Sequence, residues 1–376
     1  MKKVILSLIF LLGFSLMSRK KQAASAAKPE APKNLYIFFT DDLLGEIDLC
    51  GCPGRPMGGV ARRAKYVQRL VELGEAVIQL DAGDSFFRFH PSGFPIPESE
   101  KEFARVIAKS SAKMKLDAFN VGVLDMSLGT DFLKELKKQA KPYGDLSLIS
   151  SNLYDRAMLR PIFETEKVIE RAGIRVGVFG LTRETAEIPA NILVREPKAT
   201  SEQMVKRLRE EKGCDLVIGL FNLGLEESKK LVEQVPGINL VIVSGNPQYL
   251  WSPELVENTL LVQAGAGGKY LGQLKIILPL KAEKKASKEE LADLRERLAQ
   301  LEAQVALLQG EVLKEPAFAE KYNQLKKEKE KVKKELEQRA LKFEYNYFLI
   351  PLDADLPVDQ EIKVWVVEAL TPAKSQ

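Results

Sequence analysis

Two aspartates stand just after short apolar runs, in a pattern typical of a polar site at the edge of a sheet. Asp42 follows the run Ile37–Phe39, and Asp84 follows a second run that ends at Leu80. Runs of this kind, rich in aromatic and β-branched residues, predict buried strands. Because ligands bind beyond the carboxyl ends of the strands in α/β sheets, we expect Asp42 and Asp84 on one rim. Two carboxylates there suit a metal or phosphate site.

Strands and helices that alternate between residues 34 and 280 would position these aspartates. The predicted strands are 35–40, 76–81, 117–121, 146–150, 161–169, 174–181, 215–220, 239–244, 260–262 and 271–280. The predicted helices are 60–73, 98–115, 130–140, 200–212 and 226–235. Repeated strand–helix units favour a largely parallel sheet covered by helices. The turn at Ala172-Gly173 predicts a β-hairpin that thickens this unit into two sheets.

Residues 281–342 have a different character. Ser287 and Glu290 form a capping box, and apolar residues then recur at alternating spacings of three and four until Pro316. A second seam follows, so the segment predicts an antiparallel helical hairpin of the coiled-coil type. The two seams could simply pack on each other, or the hairpin could be a docking or dimerisation arm. The runs 343–352 and 362–370 predict strands that rejoin a sheet, which would make the hairpin an insertion.

The composition and the N-terminal sequence limit the cellular locations and the classes of partner that we expect for this protein. The chain has 376 residues and a net charge of +4, too small a charge to favour a nucleic-acid partner. An apolar run at 4–17 follows two lysines and is shorter than the about 20 residues that span a bilayer. Residues 1–33 therefore predict a signal peptide and flexible leader, and export to the periplasm. The basic residues 19–21 leave an uncleaved N-terminal anchor open; without it we expect no membrane span.

A series of motifs in fixed order resembles one enzyme family. The segments are Thr40–Gly45, Gly58–Arg63, Asp81–Asp84, Gly122–Gly129, Ser151–Leu153, Gly173–Thr182, Ile218–Gly224, Gly245–Gln248 and Val262–Gly272. They resemble the N-terminal domain of the periplasmic 5'-nucleotidase and UDP-sugar hydrolase group of calcineurin-like metallophosphoesterases. The resemblance covers roughly 34–280 and implies an α/β fold, the αββα sandwich. Residues 281–342 would be a helical-hairpin insertion, and 343–376 a short β return and tail.

The same resemblance implies a site for two divalent metals, yet most of its ligands are replaced in this chain. Asp42 and Asp84 are kept, whereas Leu44 and Val123 stand where the family has a His and an Asn ligand. Three amides stand at the places of three His ligands: Asn222, Asn246 and Gln248. Leu124 replaces the His that stabilises the departing phosphate, so we assign no catalytic residue. Since Leu and Val cannot bind a metal and amides are weak ligands, we expect no cofactor, or a weakly bound Mg²⁺, Ca²⁺ or Mn²⁺.

The two remaining aspartates have three interpretations. They could cap the loops that follow them or pair with the basic residues Arg62 and Arg63, which the motif places on the rim of the site. They could instead hold a single hard cation, or contact another ligand.

A Cys-x-Cys pair precedes the first predicted helix. Cys50 and Cys52 could form a strained disulfide or stay as inert thiols. Nearby arginines, including Arg55, would favour a thiolate and hence redox chemistry, and a soft metal is a further option. Cys214 is expected to be a small buried hydrophobe.

These observations predict an exported, non-catalytic protein with a metallophosphoesterase fold. We expect it to bind a protein partner or a second copy through residues 287–342. By resemblance, the hairpin and β return would stand in place of the relatives' C-terminal substrate-binding domain, so the usual nucleoside clamp would be missing. Two alternatives stay open. One is a residual metal-dependent phosphohydrolase acting on nucleotides or other phosphate esters, and the other is a thiol redox protein that uses Cys50 and Cys52.

Overall fold

The computed structural model describes residues 34–51, 54–91, 94–278, 280, 287–312 and 318–371. The strands of this part are β1 (Asn34–Thr40), β2 (Ala76–Asp81), β3 (Ala118–Asn120), β4 (Leu148–Ile149), β5 (Leu153–Asp155), β6 (Glu166–Arg171), β7 (Ile174–Thr182), β8 (Ile192–Val194), β9 (Leu216–Asn222), β10 (Leu240–Val243), β11 (Glu254–Val256), β12 (Thr259–Val262), β13 (Tyr270–Ile277) and β14 (Glu344–Pro351). The helices are α1 (Val60–Glu72), α2 (Glu98–Lys113), α3 (Gly129–Ala140), α4 (Pro197–Lys206), α5 (Leu225–Gln234), α6 (Lys288–Val312), α7 (Ala319–Ala340) and α8 (Gln360–Leu370).

Two six-stranded sheets form the centre of the fold. The first has the order β14-β13-β1-β2-β3-β4, and the second has the order β11-β12-β10-β9-β7-β6. Strands β1 to β4 run parallel to one another, as do β7, β9, β10 and β12. Parallel neighbours bring their carboxyl ends to a common edge. The ends of β1, β2 and β3 therefore lie side by side in one sheet, and those of β9 and β10 in the other.

Three hydrophobic clusters give the molecule its layers. The cluster between the two sheets takes Ile37 and Ile78 from the first sheet and Ile218 and Leu240 from the second. A second cluster packs α1, α2, α3 and α8 on the outer face of the first sheet. A third packs α4 and α5 on the outer face of the second sheet. Helices thus cover both outer faces, and the predicted αββα sandwich is confirmed.

Most predicted elements are present, with boundaries that differ by a few residues, but the second C-terminal strand is wrong. Residues 362–370 lie in helix α8, which begins after Asp359. The Asp359 carboxylate accepts a hydrogen bond from the Ile362 N–H at 3.0 Å and caps the helix. Ile362 and Val366 are buried, one helical turn apart, against α1 and α2. The predicted hairpin at Ala172-Gly173 is present as the antiparallel pair β6–β7.

Helices α6 and α7 connect two adjacent strands, β13 and β14, and pack antiparallel to each other. Arg297 Nη2 lies 2.7 Å from Glu328 Oε1, and Arg339 Nη1 lies 4.0 Å from Glu290 Oε1, so the start of α6 meets the end of α7. Leu291, Leu301, Val305, Val332 and Leu336 are buried along this contact. Coiled-coil character and the status of this segment as a separate domain stay predictions. Among the helices in the described ranges, none is both long and apolar enough to cross a membrane.

Candidate functional site

Asp42 and Asp84 lie side by side in the loops that follow β1 and β2, at the end of the sandwich where the loop after β10 of the second sheet also lies. The loops that carry them are tied together, because the Asp42 N–H donates to Gly83 O at 3.0 Å and the Leu44 N–H donates to Asp84 O at 3.1 Å. Both aspartates have positive φ angles, 48° for Asp42 and 56° for Asp84, a conformation that Asp tolerates better than most residues. Each chain therefore turns sharply after its strand and directs its carboxylate into the edge. Both side chains are buried.

Asp84 and Asn222 hold the loop that follows β3. Asp84 Oδ1 accepts the Leu124 N–H at 2.7 Å, and Asn222 Oδ1 accepts the Val123 N–H at 3.0 Å. Asn222 Nδ2 donates to Ser244 Oγ at 2.9 Å. The side-chain oxygens of a metal ligand must present lone pairs to the ion. Here one oxygen of Asp84 and the only oxygen of Asn222 already accept a backbone N–H.

Asp42 holds a different loop, the one after β10. Its Oδ1 accepts the Gly245 N–H at 2.8 Å, and its Oδ2 lies 3.4 Å from Gln263 Nε2. Gln263 is fully buried and also donates to Asn246 O at 3.1 Å. Sequence reasoning did not single out Gln263, although it lies within the Val262–Gly272 motif.

Asp125 is a further buried carboxylate that sequence reasoning did not assign to the site. It holds together the loops that follow β2 and β3, because its two oxygens accept four backbone N–H groups at 2.8–2.9 Å: those of Asp84, Ser85, Phe86 and Gly122. In the sequence, the one indication that Asp125 belongs to the site is its position inside the motif Gly122–Gly129. Asp125 therefore fixes the backbone around Asp84 and does not itself face a ligand.

Burial and mutual repulsion dominate the electrostatics of the site. Burial first, and then the charge of Asp84, raise the pKa of Asp42 to about 7. Burial raises the pKa of Asp84, while hydrogen bonds from Asn222 and Leu124 and the positive charge of Arg183 act in the opposite direction. Burial and the charge of Asp84 raise the pKa of Asp125 to about 8. Buried carboxylates that lie close together raise one another's pKa in this way.

The remaining amides and Leu124 do not complete a metal site. The Asn246 and Gln248 side chains are exposed and do not join Asp42 and Asp84 in the hydrogen-bond network. Leu124 is half-buried, and its backbone N–H donates to Asp84. Across the described residues, no group of three or more His, Cys, Asp or Glu side chains could hold a metal ion. The donor set, two partly engaged carboxylates and one engaged amide, does not fit a pair of divalent metals.

The two arginines of the predicted basic rim are buried and contact other residues. Arg62 Nη1 lies 3.1 Å from Asp48 Oδ1. Arg63 Nη1 donates to Thr40 Oγ1 at 2.8 Å and lies 4.0 Å from Asp81 Oδ2. The interpretation in which these arginines pair with Asp42 or Asp84 is therefore wrong, whereas the loop-capping interpretation matches the hydrogen bonds above.

Of the two cysteines in the Cys-x-Cys pair, the described residues include only Cys50. Cys50 is half-buried, and the Met57 N–H points at its Sγ at 3.5 Å. Cys52 lies outside the described residues, so the predicted pair has no geometry here. Cys214 is buried in the cluster outside the second sheet, where burial raises the pKa of its thiol.

Comparison with known proteins points to one family. No family model matches the chain. A 5'-nucleotidase of Vibrio cholerae is 26% identical over 254 residues, which cover 57% of this chain and 44% of that protein. The human 5'-nucleotidase is 26% identical over 275 residues, 64% of this chain and 46% of that protein. The chain thus spans less than half the length of these relatives.

Solved structures give the same picture for the fold. A 5'-nucleotidase precursor from Thermus thermophilus superposes with a TM-score of 0.62 at 19% identity, covering 90% of this chain and 59% of that one. The calcineurin-like phosphoesterase YfkN of Bacillus subtilis superposes with a TM-score of 0.51 at 17% identity, covering 66% of this chain and 86% of that one. The part of the chain that carries the sandwich thus has the fold of the calcineurin-like phosphoesterase YfkN and of the 5'-nucleotidase precursor, and its sequence is similar to that of 5'-nucleotidases.

Proposed function

We propose that this protein is an exported, non-catalytic member of its family that acts by binding or assembly. The observation that carries the proposal is the use of the site's oxygens. Asp42, Asp84 and Asn222 each accept a backbone N–H, from Gly245, Leu124 and Val123 respectively. Groups that would bind metal in an enzyme of this kind instead fix two loops, the one after β3 and the one after β10.

A hydrolase of this type needs a metal-bound hydroxide as its nucleophile. The chain has one histidine, His90, which lies in the loop before α2. Its Nε2 is 2.8 Å from Glu100 Oε2. No imidazole is then left for the Asp42–Asp84 cluster. Amide and carboxylate oxygens suit a hard ion, so any cofactor would be a weakly held Mg²⁺, Ca²⁺ or Mn²⁺ and would not generate hydroxide at neutral pH.

The contact surface we propose is the antiparallel pair α6–α7. Its base is fixed to the sandwich, because Lys333 Nζ donates to Ser252 Oγ at 3.0 Å and Arg295 Nη2 lies 3.0 Å from Glu257 Oε2. Toward the other end of α6, Leu307 is 74% exposed. A single exposed apolar side chain is common on protein surfaces, and Leu307 is therefore the position at which contact with a protein partner or a second copy is tested.

Two experiments test this proposal. The first assays the purified protein with Mn²⁺, Zn²⁺ and Co²⁺ against AMP and bis-p-nitrophenyl phosphate, with Asp84→Ala as the paired variant. We expect no turnover by either protein. Turnover by the wild type that Asp84→Ala abolishes would establish the enzyme instead.

The second experiment measures the mass by light scattering, and partner capture, for the wild type and two variants. One variant replaces residues 284–342 by a short linker, and the other is Leu307→Glu in the full chain. We expect both to lose the assembly or the partner. Unchanged mass and unchanged capture in both would remove the assembly function.

A residual metal-dependent phosphohydrolase is the second candidate. Two observations favour it. Asp42 and Asp84 lie side by side in hydrogen-bonded loops, and the chain is similar to proteins named 5'-nucleotidase. The phosphatase assay above decides between the two. The redox alternative depends on Cys52, outside the described residues, and has no observation in its favour. Export is tested separately, by cell fractionation and the mass of the mature chain.

A further inference from the structure

Strand β14 is the outermost strand of the first sheet, so one of its two sides has no partner strand in the described part of the chain. On the other side it pairs with β13, where Pro351 lies opposite Tyr270. Pro351 has no N–H to donate, whereas the next residue, Leu352, donates its N–H to Lys269 O at 2.9 Å. Because hydrogen bonds alternate along an antiparallel pair, the even-numbered residues of β14 bond to β13. The backbone groups of the odd-numbered residues point away from the sheet.

The outward groups are the N–H and C=O groups of Tyr345, Tyr347 and Leu349, which we call the open edge. Within the described ranges, no backbone–backbone hydrogen bond reaches these groups from outside the β13–β14 pair. The side chains of the same three residues pack against the cluster between the two sheets. Asn346 and Phe348 face the opposite way and are exposed, Phe348 by 52%. Core packing therefore fixes the open edge in place, with exposed side chains beside it.

The other three edges of the two large sheets are protected against pairing, and the open edge is not. β4 has two residues and β11 has three, and four of the six residues of β6 are charged. Short strands and charged side chains are means by which proteins keep an edge from pairing with another chain. β14 is eight residues long, and its one charged residue, Glu344, is the first. A long edge without internal charges is a template for a further strand.

We propose that β14 pairs with β14 of a second copy of this chain, in an antiparallel arrangement about a two-fold axis at Tyr347. In this register Tyr347 lies opposite Tyr347 of the second copy, and Tyr345 lies opposite its Leu349. Every N–H and C=O group of the open edge is then hydrogen-bonded, and the two six-stranded sheets join into one. This is the register that pairs all three outward residues with one another.

The side chains of β14 fit the same register. Phe348 lies opposite Asn346 of the second copy and diagonal to its Phe348, a distance over which aromatic rings still interact. Glu344 lies opposite Ile350 and therefore faces no like charge across the pair. The exposed ring of Phe348 is covered by the second copy.

Charges at the two ends of β14 favour a second copy in the antiparallel direction. Lys342 precedes the strand, and the exposed Asp355 follows it. An antiparallel pair brings a basic end beside an acidic end at both of its ends, whereas a parallel pair would bring like ends together. The inference goes beyond the proposed function, because it assumes nothing about catalysis and does not involve Leu307. It leaves the exposed end of the helical pair to a protein partner.

The test measures the mass of the full-length protein by light scattering over a dilution series. In the variant Asn346→Lys with Phe348→Lys, two lysines face each other across the pair at two places. In the variant Asn346→Glu with Phe348→Lys, the same register places a glutamate opposite a lysine at both places. The matched control is Val364→Lys, because Val364 is 54% exposed on α8, which packs on α1 and α2 rather than on β14.

We expect the wild type and Val364→Lys to have twice the mass of one chain. The double-lysine variant should associate at least about tenfold more weakly, since two like-charged pairs face each other. The variant with opposite charges should regain most of the wild-type affinity. A wild type with the mass of one chain at every concentration would overturn the inference. Equal association of the two double variants would also overturn it, because the residues would then not lie opposite each other.

A cross-link decides the question if the double-lysine variant fails to fold. Opposed residues of a pair that is not hydrogen-bonded have Cα atoms about 4.5 Å apart, within the range of a disulfide. Under oxidation, Asn346→Cys with Phe348→Cys should therefore form a covalent dimer, and Asn346→Cys alone should not. A covalent dimer in both variants, or in neither, would contradict the pairing. Leu307→Glu should keep the β14 pair, so failure of this inference and failure of the proposed function are distinguishable.

Discussion

Replacing Asp42 by asparagine should stabilise the protein, and more so at high pH. In the folded protein the pKa of Asp42 is about 7, against an ordinary value of 3.8. A carboxyl with a raised pKa in the folded state costs no stability below pH 3.8. Its cost grows as the pH rises and is complete above pH 7, because ionisation is easier in the unfolded chain. Asparagine keeps the acceptor for the Gly245 N–H and has no charge to bury, although it gives up the long contact with Gln263 Nε2 at 3.4 Å.

The magnitude follows from the two pKa values. Linkage gives the asparagine variant an advantage of about 2 kcal/mol at pH 5 and about 4 kcal/mol at pH 8. A poorer hydrogen bond to Gly245 subtracts about 1 kcal/mol at both pH values. The change between the two pH values, about 2 to 3 kcal/mol, is thus independent of that loss. Because Asp42 and Asp84 titrate together, this figure belongs to the pair.

The assay is urea unfolding of Asp42→Asn and the wild type between pH 5 and pH 8, in the presence of EDTA. Asp131→Asn is the control, since Asp131 is fully exposed on α3 and faces Lys134 at 2.8 Å; its effect should not vary over this range. A constant difference between Asp42→Asn and the wild type, or one that shrinks as the pH rises, would refute the reasoning. It would mean that another cation already compensates Asp42 fully.

Two further predictions follow from close contacts. Gly122→Ala should destabilise the protein by about 1–3 kcal/mol or more, because the new Cβ would lie 2.5 Å from the Asp84 backbone nitrogen; Gly51→Ala, where no atom lies within 4 Å, is the control in the same urea assay. Ile362→Ala should cost about 2–5 kcal/mol, since Ile362 is fully buried on the inner face of α8. Val364→Ala, on the exposed side of that helix, should change stability by less than about 0.5 kcal/mol, and an equal loss in both variants would count against the packing of α8.

Most strands of the two sheets were predictable because they carry local signals, and the αββα arrangement followed from the resemblance of the motifs. The error at α8 has a local cause, since Val364, Val366 and Val367 favour a strand by composition. The competing signal was present: Asp359 is a good N-cap, and Ile362, Trp365 and Val366 follow the three-and-four spacing of a buried helical face. Tertiary packing on α1 and α2 decides in favour of the helix.

The site was less predictable, because its polar contacts join residues far apart in the chain. The motif order identified Asp42, Asp84 and Asn222, which the fold brings together. It did not show that Asn246 and Gln248 are exposed. Nor could it show that Gln263 lies beside Asp42, because that contact depends on how the second sheet packs against the first. Pattern reasoning has no access to such distances.

The position of the helical pair bears on how the first sheet assembles. Strands β13 and β14 are neighbours in that sheet, although the long span 278–343 separates them in sequence. Closing an unstructured loop of that length costs about 2 kcal/mol more than closing one of about ten residues. Once α6 and α7 have packed against each other, the end of β13 and the start of β14 are already close. Pairing β14 with β13 then costs no more entropy than closing a short turn. The helical pair thereby lowers the entropic barrier to completing the sheet, which predicts that α6–α7 contacts form early in folding and that β14 docks late.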